Sequence, residues 1–270
     1  VAGRLFTFGC SFTKYHWPTW ADLLLTQIEG ENWGQGGGGN KFIFESLIEC
    51  MVSRNIDKDD TVIIMWSSFF REDRYMHHGW QTPGNVYNAE PLYDKEFLFK
   101  YWDDKGAILN NLNFICGAIR VLESIGCKWK MAKMLQLTQF NEYHQFIKTF
   151  DATFNDHVSF ISKYSDHWID EDLTGFNNQN RHLAHVVEWD GLMLTDGFKK
   201  IKNKFIDNHP LPYMHYLWAK KYLSWLPVDF NQIEVTAKYA TDRLGIESAR
   251  EGSYPNNNFN FQECRNIIRI

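Results

Sequence analysis

The sequence predicts an α/β fold, a three-layer α/β/α sandwich built on a parallel sheet of about five strands. Two short runs predict it first. Residues 4–8 and 61–66 (Thr-Val-Ile-Ile-Met-Trp in the second) are rich in β-branched and aromatic side chains without polar alternation, as expected of strands covered on both faces. Segments with apolar residues at helical spacing follow each run, and alternating strands and helices place helices on both faces of a parallel sheet. Third, 44% of the 270 residues are hydrophobic, enough to fill a core on each side of such a sheet.

Each element has a local reason. Gly9-Cys10-Ser11 ends the first strand, and residues 17–28 read as a helix with Pro18 acceptable in its first turn. Residues 32–39 form a short strand and a glycine-rich turn, and residues 42–54 a second helix that Asn40 can cap. After the strand at 61–66, residues 67–104 are too long for an ordinary connection, so they read as an active-site insertion or an interaction loop. Residues 108–125 form a third helix stopped by Gly126, residues 128–137 a further strand, and residues 139–164 a mostly helical stretch. Residues 165–195 are polar and read as loop or lid, and residues 197–205 as a short amphipathic helix. Asp207-Asn208-His209-Pro210 is a turn, and residues 212–226 form a closing helix with Pro212 near its start. This reading gives one domain over 1–226, with insertions at about 67–104 and 150–196. Residues 227–270 are then an extension packed on the domain or on a partner.

In parallel sheets, ligands sit at the carboxyl ends of the strands, which directs attention to the turns after Phe8, Trp33 and Trp66. Ser11 follows a buried strand, so its hydroxyl is held rigidly and its backbone N–H can face an oxyanion. A Ser hydroxyl needs a base, and an imidazole needs an acceptor to fix its tautomer. His209 and Asp207 can supply both from one turn. Each turn has a plainer reading on its own, a capping Ser in one case and an Asx-type turn with a surface His in the other.

Taken together, Gly9-Cys10-Ser11 and Asp207-Asn208-His209-Pro210 resemble the first and last blocks of the SGNH/GDSL hydrolase family, with Cys10 in place of the usual Asp. The resemblance includes the closing helix, which carries a second histidine, His215. It implies a flavodoxin-like sandwich of the SGNH hydrolase type, with Ser11, Asp207 and His209 as catalytic residues. In the glycine-rich turn Gly38 matches the family's oxyanion-binding glycine best, with Gly36 and Gly39 as alternatives. The third block departs: Met65-Trp66-Ser67-Ser68 lacks the family's Asn, so Ser67, Ser68 or Asn40 must substitute as donor. The last block is also shorter than the commoner Asp-x-x-His. The implied activity is that of a serine esterase removing O-acyl groups, acetyl above all, from a carbohydrate, without a cofactor or metal. With 16% aromatic residues in the chain, Trp66, Trp80 and Trp102 are the candidates for stacking on a sugar ring. Cys10 beside Ser11 reads as a small hydrophobe beneath the turn.

The pattern is also similar to divergent SGNH-like proteins of phages of marine bacteria. That similarity, the missing Asn and the long insertions frame a second reading: a non-catalytic structural or glycan-binding module, and a virion component. The expected partners are a small-molecule or glycan ester and, for assembly, further copies of the chain or virion proteins. The net charge of −5 and the lack of a basic stripe argue against nucleic acid. No apolar run reaches the roughly 18 residues of a membrane helix, and five cysteines without zinc-knuckle spacing fit reduced thiols. No signal-peptide pattern opens the sequence, so synthesis in the cytoplasm is expected.

Overall fold

The computed structural model describes residues 3–88, 93–135, 151–179, 188–190, 200–201, 204–206 and 209–251. At its centre lie four parallel strands, β1 (Leu5–Phe8), β2 (Gly30–Asn32), β3 (Thr61–Trp66) and β6 (Lys128–Lys133), in the order β2-β1-β3-β6. β1 and β3 run in register, with Leu5 opposite Thr61 and Phe8 opposite Ile64. β3 pairs in the same way with β6, with Val62 opposite Trp129 and Trp66 opposite Lys133.

The alternation of β3 divides the core. Ile63 and Met65 face one side, while Val62, Ile64 and Trp66 face the other, all fully buried. The first side is covered by α1 (Trp20–Leu24), α6 (Leu173–Gln179), α7 (Pro212–Tyr222) and α8 (Phe230–Glu251). The second is covered by α2 (Asn40–Arg54) and α4 (Asp104–Ile125), with α5 (Asp151–Ser162) packed outside α4. A continuously apolar strand is stable only when both faces are covered in this way. The chain is therefore an α/β protein with a four-stranded parallel sheet flanked by helices, an arrangement compatible with three layers.

Helix ends follow local chemistry. Asp103 caps α4 by accepting the Gly106 N–H at 2.6 Å, and Gly126 closes it in the left-handed region at φ 75°. Pro212 starts α7, where its missing N–H costs nothing.

Three expectations are revised. A fifth strand is expected, but among the described residues that position is reduced to one parallel bridge, Met131 with Trp168, supported by the Ile169 N–H donating to the Met131 carbonyl. Residues 67–104 are not a plain loop. They carry the hairpin β4 (Arg74–Met76) and β5 (Gly79–Gln81), a 3-10 turn at Val86–Asn88 and the helix α3 (Lys95–Tyr101). They also have a small core of their own, around Val86 and Tyr93. Finally, within the helix expected at 197–205 the described residues are strand. β8 (Lys200–Ile201) and β9 (Lys204–Ile206) pair antiparallel, and β9 also pairs with β7 (Glu188–Asp190). Period alone cannot separate helix from strand in so short a segment. In the 227–270 extension, α8 packs on α7 and α1 through Ile233 and Ala237.

Candidate active site

The order β2-β1-β3-β6 reverses direction between β1 and β3, and in such sheets ligands bind at the carboxyl ends of the strands beside that point. The turn after β1 lies there. Gly9 is required by close approach: a Cβ on it would lie 2.0 Å from the Thr13 hydroxyl oxygen. The Cys10 carbonyl accepts the N–H groups of Thr13 and Lys14 at 2.8 and 3.0 Å, which closes the turn. Cys10 points into the core, its thiol 3.2 Å from the Met134 sulfur. Its neighbour Ser11 faces the other way, 6% exposed, and its backbone N–H makes no hydrogen bond among the described residues.

The Ser11 hydroxyl lies 2.9 Å from Nε2 of His209, across 198 residues of chain. Aromatic contacts fix the imidazole. Tyr15 stacks on it with centroids 3.9 Å apart and planes 18° apart, and Phe12 meets it edge-on at 5.2 Å. The two turns are also joined by the Trp17 indole, which donates to the Pro210 carbonyl at 2.9 Å. Asp207 lies outside the described residues. Below this pair, His215 of α7 is fully buried, and burial, then the nearby His209, pushes its imidazole down to about 3. It is a neutral packing group at physiological pH.

Tyr15 is legible in sequence only as one of many aromatics. Its stack restricts rotation of the base, so Tyr15→Ala is expected to lower kcat of any His209-dependent reaction by about tenfold with little change in KM, since misplacement of a catalytic group acts on the chemical step. Ester turnover by the purified variant measures this, and an unchanged kcat would remove Tyr15 from the site.

The structure redistributes the expected oxyanion donors. The Gly38 N–H is already given to the Gln35 carbonyl at 3.1 Å, closing a turn in which Gly37 holds φ 75°. Asn40 is fully buried, and the two hydrogens of its amide are used on the Ser67 carbonyl (3.1 Å) and the Asn111 side chain (2.7 Å). Its oxygen accepts the Ser67 N–H at 2.7 Å. Asn40 is thus a clamp between α2 and the end of β3, not a free donor. Gly39 gives its N–H to Asp73 at 2.9 Å. Ser68 accepts the Phe70 N–H. Ser67 has a buried hydroxyl without a partner. The Ser11 N–H is an uncommitted backbone donor on the nucleophile turn among the described residues.

The three candidate platforms separate too. Trp66 has no exposed surface and belongs to the core beneath α2 and α4, so it cannot stack on a ligand. Trp80 is partly exposed on β5, held edge-to-face by Phe42 and Tyr75. Trp102 is partly exposed and lines a cavity of about 410 Å³ between the 67–104 insertion and α4, its indole donating to Asp104 at 2.7 Å.

Sequence reasoning missed Asp73. It is fully buried and accepts from the N–H groups of Gly39 and Phe42 at 2.9 and 3.0 Å, so it caps α2 from the insertion. Burial raises its carboxyl to about 6 against the lowering effect of those two bonds. Asp73→Ala leaves two buried donors unpaired and is expected to destabilise the fold by about 2–3 kcal/mol in chemical denaturation. A change under ~0.5 kcal/mol would mean that water replaces the carboxylate.

No group of three or more His, Cys, Asp or Glu side chains that could hold a metal occurs among the described residues. Among the described residues no helix is long and apolar enough to cross a membrane. Comparison with family models, with curated proteins and with solved structures returned no match for the chain.

Proposed function

We propose that the chain is an SGNH-type serine esterase that removes an O-acyl group from a carbohydrate. One observation carries the reading: the Ser11 hydroxyl and the His209 imidazole, far apart in sequence, meet at 2.9 Å at the carboxyl end of the sheet. The strand order beginning 2-1-3 agrees with a flavodoxin-like scaffold. In the reaction, Nε2 of His209 takes the Ser11 proton as the oxygen attacks the acyl carbon. The Ser11 N–H donates to the oxyanion, and the imidazolium returns its proton to the leaving alcohol. Water then repeats the sequence in reverse and frees the carboxylic acid. Asp207 is the proposed orienting acceptor for His209. Of the three indoles, Trp102 fits sugar stacking best, because it borders a cavity of small-molecule size.

A specific observation favours a second reading, a non-catalytic module on the same scaffold: Gly38 and Asn40 spend their donors internally. The two are separated by hydrolysis of p-nitrophenyl acetate together with labelling by a fluorophosphonate. The esterase reading expects one phosphonate adduct on Ser11, and loss of turnover in Ser11→Ala and His209→Ala. Equal rates in all three proteins and no adduct would sink it.

A further inference from the structure

Arg71 sits where the sheet ends. Its guanidinium donates to the Gly38 carbonyl at 2.9 Å and approaches the Met134 sulfur at 3.8 Å. Met134 is in turn the contact of Cys10, the neighbour of Ser11. The Arg71 Nε is wholly buried and has no partner. Among the described residues no carboxylate forms an ion pair with Arg71. The neighbouring carboxylate, Asp73, has both oxygens on backbone N–H groups and acts on Arg71 only through space, without a contact ion pair. A guanidinium has five N–H donors, and a neutral carbonyl and a sulfur satisfy few of them. Charges in partly buried surroundings are normally paired.

The same cavity that Trp102 borders is lined by Arg71 and by Lys41, which also makes no ion pair among the described residues. Of the two acids on that cavity, Glu72 pairs with Arg74 at 3.7 Å, and Asp103 accepts the Gly106 N–H while keeping its charge. The cavity therefore joins an aromatic wall to three cations, Lys41, Arg71 and Arg74, against two acids, Glu72 and Asp103, an excess of positive charge. We propose that it is a subsite for the anionic group of an acidic carbohydrate, with Arg71 and Lys41 binding the carboxylate and Trp102 the ring. This rests on the esterase reading for its chemistry, but the binding stands apart from turnover. Planar, bidentate recognition of a carboxylate suits Arg71 better than a point charge would.

The test uses the full chain carrying Ser11→Ala, so that ligand is not consumed. Calorimetric titration with O-acetylated glucuronic acid and O-acetylated glucose is expected to show the acid bound at least about 30-fold more tightly, as one charge-assisted pair allows. Arg71→Gln in that background should abolish the preference, and Arg71→Lys should restore part of it. Melting curves identify any variant that fails to fold, and Lys41→Gln then gives an independent arm with a smaller loss. Equal affinity for acid and neutral sugar, no binding of either, or a preference that survives both Arg71→Gln and Lys41→Gln would overturn the subsite. Acid-selective binding without ester turnover in the unmutated chain would instead keep the subsite and remove the esterase reading.

Discussion

Adding His209→Ala to a Ser11→Ala protein should cost almost nothing beyond the first loss. Each single change is expected to lower kcat/KM for an activated ester by about 10⁴-fold, or roughly 5 kcal/mol in the transition state. The double variant should sit within about threefold of either. The reason is geometric. The hydroxyl and imidazole are 2.9 Å apart, and neither acts without the other: the hydroxyl is a poor nucleophile without a base, and the base has no proton to take without the hydroxyl. Groups that work as a unit give strongly non-additive losses. The Ser11 N–H is lost in neither variant, so residual turnover above the uncatalysed rate is expected from it. Additive losses, approaching the product of the two singles, would mean that Ser11 and His209 act on the substrate separately. A rival nucleophile at Cys10 is disfavoured by its burial against Met134, so Cys10→Ser should leave the labelling of Ser11 in place.

The second large effect is on acid stability. His215 lies fully buried in α7 and its imidazole is held near 3 by burial and by His209. The unfolded chain binds a proton there below about pH 6.5, while the folded protein does not until about pH 3. Folding stability linked to His215 is therefore complete above pH 6.5 and is lost as pH falls, by about 1.4 kcal/mol per unit and ~5 kcal/mol in all. Asp73 works in the opposite sense. Its carboxyl is raised to about 6, so its contribution is complete below the unfolded value near 4 and lost as pH rises to 6. Between pH 4 and 6 the two slopes oppose each other. The clean readout is the difference between the unmutated chain and His215→Leu. That variant should change stability by less than about 1 kcal/mol at pH 7, because it removes a buried Nδ1 that has no partner. Relative to the unmutated chain it should gain steadily below pH 6.5. Parallel stability curves for the two proteins from pH 7 to 4.5 would show that His215 titrates normally in the folded state.

The sequence alone determined the central strands β1 and β3, the turns at their ends and the pair of segments that meet. An unbroken run such as Thr61–Trp66 admits little but a doubly covered strand, and Gly9 and Pro212 announce a tight turn and a helix start through their own stereochemistry. Local rules were enough because each of those features is decided within a few residues. Tertiary structure decided the rest. Whether Lys200–Ile201 and Lys204–Ile206 are helix or strand depended on their pairing with each other and on β7 being available as a partner of β9. Whether Trp66 faces solvent or core depended on the helices covering β3. Donor accounting was equally out of reach: Gly38 and Asn40 carry the right groups, but Gln35, Ser67 and Asn111 had already taken them. Arg71 and Asp73 became visible only once the insertion was folded over the sheet end, because an arginine without a contact ion pair among the described residues and a borrowed helix cap are properties of neighbours in space. Ser11 and His209 stand between the two cases. Their chemistry is written in the sequence, and the distance between them is set by the sheet, the Tyr15 stack and the Trp17–Pro210 hydrogen bond.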